Sequence, residues 1–174
     1  FPVITAENEI STDEAEIRQM AKIGSQKGFI EADEAAMILK VFQLNDLKAK
    51  DLMIPRVSAP SLDGSSNLDD ISKLIISNNS PWWVVLGDKV DNILGIAKRE
   101  NLLTSLIKGE NKKLLSELCD PVDYIPEMIK VDKLLTRFDK DHKGVKVVVD
   151  EFGGFVGIIG SEAVLSVLAG WGQE

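Results

Sequence analysis

Apolar positions along this chain follow two rhythms, one helical and one strand-like. Near the start, Ile17, Met20, Ala21 and Gly24 fall at i, i+3, i+4, i+7 spacing, which predicts a helix with one apolar face. Thr12 or Asp13 is the expected N-cap, with Glu14 and Glu16 in the first turn, where they complement the helix dipole. Gly28 marks a stop, and Glu31 to Phe42 resumes the pattern through Met37, Ile38, Val41 and Phe42. Residues 1–48 therefore read as short acidic helices joined by a turn, forming a linker with its charges in solvent.

Beyond residue 49 the chain repeats itself. At a spacing of about 63 residues Leu68 matches Val131, Ile71 matches Leu134, Ile75 matches Phe138, and Val84–Val85 match Val147–Val148. Slightly further on, Gly95 matches Gly157 and Leu103 matches Leu165. In copy one the pattern predicts a helix from Leu68 to Ser77, a buried strand from Trp82 to Leu86 and a Gly87–Asp88 turn. A second strand across Ile93 to Ala97 and a helix carrying Leu102, Leu103, Leu106 and Ile107 complete it. Copy two reads the same way, with helix Asp132 to Asp139, strand Lys146 to Val149, a Gly153–Gly154 turn, strand Val156 to Ile159 and helix Glu162 to Leu168.

A unit of roughly 60 residues buries too little surface to be stable alone. Two such copies with Val- and Ile-rich strands are expected to pack sheet against sheet, related by a pseudo-twofold axis, with ligand clefts at their seam. The predicted fold is α/β, two β-α-β-β-α repeats preceded by short acidic helices. Its expected divisions are 1–48, 49–110 and 111–174.

Charge and composition narrow the function. A net charge of −8 argues against a nucleic-acid surface, which needs a basic stripe, and against a standing attraction to anionic lipid. Cys119 is alone, so neither an internal disulfide nor a multi-cysteine zinc site can form, which fits a reducing compartment. No apolar run reaches the roughly 18 residues of a spanning helix. The nearest approach, Phe155 to Trp171, is broken by Ser161, Glu162 and glycines, so direct membrane insertion is not expected. The start at Phe1 reads as that of a fragment of a longer protein. His142 is the single histidine, in a charged loop, which excludes a two-histidine metal site. Asp150 and Glu151 are neighbours, so they point apart and read as part of a hairpin rather than an acid–base pair. Trp82 and Trp83 should divide between the core and a cleft or dimer surface. With no nucleophile–base pair, an enzyme is not expected.

Three stretches carry a family resemblance: "DLMIPR" (Asp51 to Arg56), "VDNILGIAKRENLL" (Val90 to Leu103) and "VVVDEFGGFVGII" (Val147 to Ile159). Together they resemble the tandem CBS domains of the CorC/HlyC and cyclin M family of magnesium and cobalt transport proteins. "ITAENEI" (Ile4 to Ile10) and Gly24 to Leu44 look like the acidic segment that follows that family's membrane domain. The resemblance implies a regulatory module on the cytoplasmic face of the membrane, attached to the membrane domain of its own full-length chain. It also implies a homodimer and an adenine nucleotide ligand, AMP or ATP, with or without Mg²⁺.

In that family the nucleotide is held by a strand-turn-helix pattern of Gly, apolar, any, Thr/Ser, any, any, Asp. Copy two reads Gly157, Ile158, Ile159, Gly160, Ser161, Glu162, Ala163, so the hydroxyl and carboxylate positions are vacated. Copy one reads Gly95, Ile96, Ala97, Lys98, Arg99, Glu100, Asn101; Lys98 replaces the hydroxyl and Asn101 loses the charge. Pro81 stands where relatives often carry an arginine. Losing three anchors at about 1–3 kcal/mol each takes a micromolar ligand to millimolar. The usual site therefore reads as degenerate, while Lys98 and Arg99, with Ser65 and Ser66 expected nearby, form an alternative anion site or a solvated surface. Two functions follow, a nucleotide-sensing regulatory pair or a ligand-free dimerisation scaffold. The apolar end, Val164 to Trp171, is expected to pack on a partner subunit or on the adjoining domain.

Overall fold

The computed structural model describes residues 6–89, 91–140 and 144–169, with side chains at 13–89, 91–138 and 144–167. His142 and Trp171 lie outside these residues, and so does the remainder of the apolar C-terminal stretch beyond 169.

The acidic segment folds as a hairpin of α1 (Ala6–Gln26) and α2 (Ala32–Leu44). It turns at Gly28, whose φ of 76° suits a residue without a Cβ. The predicted N-cap at Thr12 or Asp13 is corrected: α1 begins at Ala6, because nothing between Ala6 and Thr12 interrupts a helix. Two helices share only a narrow seam. Ala21 and Ala35 are buried in it, Arg18 bonds Glu14 at 2.9 Å and lies 5.1 Å over the Phe42 ring, while Met20, Met37 and Val41 stay exposed.

Copy one contains β2 (Ser61–Asp63), α4 (Leu68–Ser77), β3 (Trp82–Leu86), β4 (Ile93–Lys98) and α5 (Arg99–Ile107). Copy two repeats the order as β5 (Tyr124–Pro126), α6 (Val131–Lys140), β6 (Val145–Val149), β7 (Phe155–Gly160) and α7 (Ser161–Ala169). A short helix α3 (Ala49–Leu52) and strand β1 (Ile54–Pro55) precede copy one. In each copy a parallel pair feeds an antiparallel hairpin, with Val84 opposite Ile96 and Val147 opposite Ile158. Even the strand irregularities fall at equivalent places, Val85/Leu86 and Val148/Val149. Copy one's turn is longer than the predicted Gly87–Asp88: Gly87 N–H reaches Asn92 O at 2.7 Å.

Strand alternation sorts the core into three layers. Trp83, Val85 and Ala97 face α4 and α5 with Leu68, Ile75 and Leu102. Val148 and Ile159 face α6 and α7 with Val131, Leu134, Phe138 and Val164. Val84, Ile96, Val147 and Ile158 meet between the sheets. The seam is thus apolar and close-packed, as two marginal halves require.

The lead-in segments cross over. Although α3 and β1 precede copy one, β1 pairs with β7, Ile54 opposite Ile158, and Leu44 and Ala49 are buried in copy two's core. Reciprocally Leu115 is buried in copy one's core, and Asp120 bridges to Ile96 on β4. The backbone bonds match pair by pair: Ala49 N–H to Ile129 O and Leu115 N–H to Ser66 O, both 2.9 Å; Val131 N–H to Leu47 O and Leu68 N–H to Lys113 O, both 3.0 Å. This reciprocity is the pseudo-twofold relation in hydrogen bonds.

Candidate functional site

Gly95 and Gly157 open the two predicted ligand patterns, yet each makes room for backbone. A Cβ on Gly95 would stand 2.4 Å from Asp120 O and 2.8 Å from Cys119 Sγ; on Gly157, 2.6 Å from Ile54 O and 2.7 Å from Met53 Sδ. Both glycines admit the exchanged lead-in segment, so this part of the pattern serves assembly of the seam.

Above that contact, where β3 and β6 begin and β4 ends, the copies separate around a cavity of about 500 Å³. The volume lies in the range of small-molecule sites. Its apolar wall is Pro81, Trp82, Ile96, Leu103, Pro121 and Val145. Trp82 lines it because Trp83, next on the strand, points into copy one's core, as the alternation predicts. Its charged wall is Lys98, Arg99, Glu100, Asp120, Asp123 and Glu162.

The two cations differ in availability. Arg99 is half-buried, and its Nε and Nη2 donate to Ile75 O at 2.9 Å and Ile76 O at 3.3 Å, closing the C-terminal end of α4. Lys98 precedes α5 and makes no side-chain capping bond. Asp123 accepts a 3.0 Å bond from Lys146 Nζ. The Lys146 side chain is 1% exposed and its ammonium lies 5.2 Å over the Phe138 ring. In copy one Trp83 holds the equivalent strand position, its indole N–H buried without a hydrogen-bond partner among the described residues.

The other predicted site residues are scattered. Ser66 bonds through its backbone to Asp63 and Leu115, and the Ser65 hydroxyl donates to Asp63 Oδ1 at 2.7 Å. Neither serine lines the cavity with Lys98 and Arg99, because the loop folds on itself through Asp63. The two Ser65 hydrogen bonds, backbone first, hold the Asp63 carboxyl below its ordinary value. Asn101 is exposed on α5, outside the lining. Gly160 and Ser161 border the cavity through Gly144, whose carbonyl accepts from Ser161 N–H at 2.9 Å. Asp120, Asp123, Glu162 and Lys146 escaped the sequence reading, although a lysine inside the strand Val145–Val149 is an available signal.

Asp150 is a turn residue: its Oδ1 accepts from Phe152 N–H at 2.9 Å and Gly154 N–H at 2.8 Å, as the hairpin reading expects. Burial pushes the Cys119 thiol up. Among the described residues no cluster of three or more His, Cys, Asp or Glu could hold a metal ion, and no helix is long and apolar enough to cross a membrane.

A family model described as CBS domain matches residues 115–170, which is copy two with its lead-in. The chain is 44% identical over 160 residues to a UPF0053 protein of Synechocystis sp., covering 92% of this chain and 46% of the relative. It is 30% identical over 155 residues to the magnesium and cobalt efflux protein CorC of Pasteurella multocida, covering 89% and 52%. The chain thus spans about half the length of these curated relatives. Among solved structures it is similar to the CBS domain of a bacterial CNNM/CorC family Mg²⁺ transporter in complex with ATP. The TM-score is 0.73 at 26% identity, covering 79% of this chain and 97% of that one.

Proposed function

Because the chain is a CBS-domain pair homologous to those of CorC-related proteins, we propose that it is the non-catalytic regulatory module of a divalent-cation transporter-like membrane protein. In this reading it senses an adenine nucleotide in the seam cavity. The observation that carries it is the placement of that cavity: Trp82 and Val145 from the first strands of both hairpins meet there, beside the Lys98 ammonium. An indole face suits a purine, and a ligand touching both copies can favour one arrangement of the seam over another. That differential affinity is what regulation of an attached membrane domain at the cytoplasmic face needs. A relative of this module is held in complex with ATP.

One observation favours a second reading, in which the pair only dimerises the protein. Gly160 and Ala163 leave the expected hydroxyl and carboxylate positions empty, and Arg99 is turned toward α4. Thermal-shift titration with AMP, ADP and ATP, with and without Mg²⁺, separates the two. A ligand at 100 times its dissociation constant adds about 2.7 kcal/mol, a shift of several degrees for a chain of this size. Stabilisation supports sensing; an unshifted midpoint with every nucleotide, together with a dimer on sizing, supports scaffolding.

A further inference from the structure

We propose that the seam cavity ranks adenine compounds by charge, taking the nucleoside or monophosphate ahead of the polyphosphates, and that Asp123, braced by Lys146, accepts the ribose hydroxyls. This rests on the reading of the cavity as an adenine site.

The charged wall sets the ranking. Four carboxylates, those of Glu100, Asp120, Asp123 and Glu162, face two cations, and Lys146, paired with Asp123, offsets one of the four. Two donors of Arg99 are already committed to Ile75 O and Ile76 O. Lys98 is the remaining ammonium on the wall, enough to meet one phosphate. Every further phosphate brings negative charge toward carboxylates in a partly enclosed space, where repulsion is screened less than in open water.

Ribose needs an acceptor, and positions Asn101 and Ala163 supply no carboxylate. Asp123 does. Its side chain is 48% exposed on the cavity wall, while Lys146 behind it is 1% exposed and holds Oδ2 at 3.0 Å. The bond fixes the carboxylate from behind and leaves the other oxygen outside it. Nothing in the shared fold requires this pair. In copy one Pro60 O accepts from Val84 N–H as Asp123 O accepts from Val147 N–H, at 2.8 and 3.0 Å. There Pro60 and Trp83 stand in the places of Asp123 and Lys146, so the ion pair breaks the pseudo-symmetry at the wall of this cavity.

The test is calorimetric titration of the whole chain in EDTA with adenosine, 2′-deoxyadenosine, AMP, ADP and ATP, repeated on Glu162→Gln and Asp123→Asn. Adenosine and AMP are expected to bind at least about tenfold tighter than ATP, and 2′-deoxyadenosine about tenfold weaker than adenosine. Glu162→Gln should raise the affinity for ATP relative to adenosine about threefold. Asp123→Asn should erase the 2′-hydroxyl preference; if it unfolds the chain, the deoxy comparison and Glu162→Gln still decide. ATP binding tightest without a divalent cation, or equal binding of adenosine and its 2′-deoxy form, overturns the proposal. Failure of every adenine compound to bind overturns the adenine reading itself, and this proposal with it.

Discussion

Asp120 and Ile96 exchange two backbone hydrogen bonds, at 2.9 and 3.0 Å, and in doing so tie the approach to copy two onto the last strand of copy one. Ile54 stands opposite Ile158 in the reciprocal place. Each half of the molecule is therefore completed by backbone that belongs, in sequence, to the other. Separating the copies would expose the apolar seam and also strip a strand-like edge from both sheets, so the pair should unfold as one unit.

The close approach at that exchange predicts a sharp contrast among glycines. Gly95→Ala and Gly157→Ala each drive a Cβ to within 2.6 Å of a backbone carbonyl, and should cost about 2–4 kcal/mol in urea unfolding. Gly109→Ala meets nothing within 4 Å and bears only the strain of its positive φ, about 1 kcal/mol. Equal losses at the three positions would contradict the exchange as the reason for Gly95 and Gly157.

Lys146 and Asp123 should respond unequally to removal. Asp123→Ala removes a charge-assisted bond of 3.0 Å from a buried ammonium and should destabilise by about 1.5–3 kcal/mol. Lys146→Met leaves a half-exposed carboxylate that water can solvate, and should cost less than about 1 kcal/mol or stabilise. Chemical denaturation of the two variants and of the double variant measures the difference.

Arg99 is expected to act through helix α4 as well as through the cavity. Arg99→Ala frees the carbonyls of Ile75 and Ile76 and should cost about 1–2 kcal/mol, with faster amide exchange at the end of α4. Arg99→Lys should recover little of the loss, since one ammonium does not reproduce a guanidinium fork reaching two carbonyls.

Much of the architecture is legible from residue order, because the Val-rich strands and i, i+3, i+4 helices of the two copies repeat at nearly constant spacing. Strand Trp82–Leu86 and helix Leu68–Ser77 have the predicted bounds. The crossing of Asp51–Arg56 to copy two is not legible, because short, backbone-bonded segments carry no periodicity of their own. The candidate site is less legible still. Lys98 and Arg99 are where a helix start puts them, but the pattern that singles out Gly95 and Gly157 also serves packing. Asp123 gains its place through Lys146 on β6, a residue 23 positions further on that only folding brings beside it.

Acid should weaken the loop before α4. Ser65 lowers the Asp63 value in the folded chain, so this contribution is complete above the unfolded value of about 3.8 and is lost as pH falls through the lower folded value. Glu110, lowered first by its bond to Lys113, behaves with the same sign. Denaturation midpoints from pH 7 to pH 2.5 should fall at the acid end, and Ser65→Ala, which removes the hydroxyl bond and keeps the larger backbone one, should flatten that fall only in part.

A crystal structure grown with saturating AMP would bear most directly on the idea that the seam between the copies is the sensing site. The account predicts purine density against Trp82, between Pro81 and Val145, with the phosphate toward Lys98. Density seated anywhere else on the molecule, or a seam cavity left open at saturation, would contradict it.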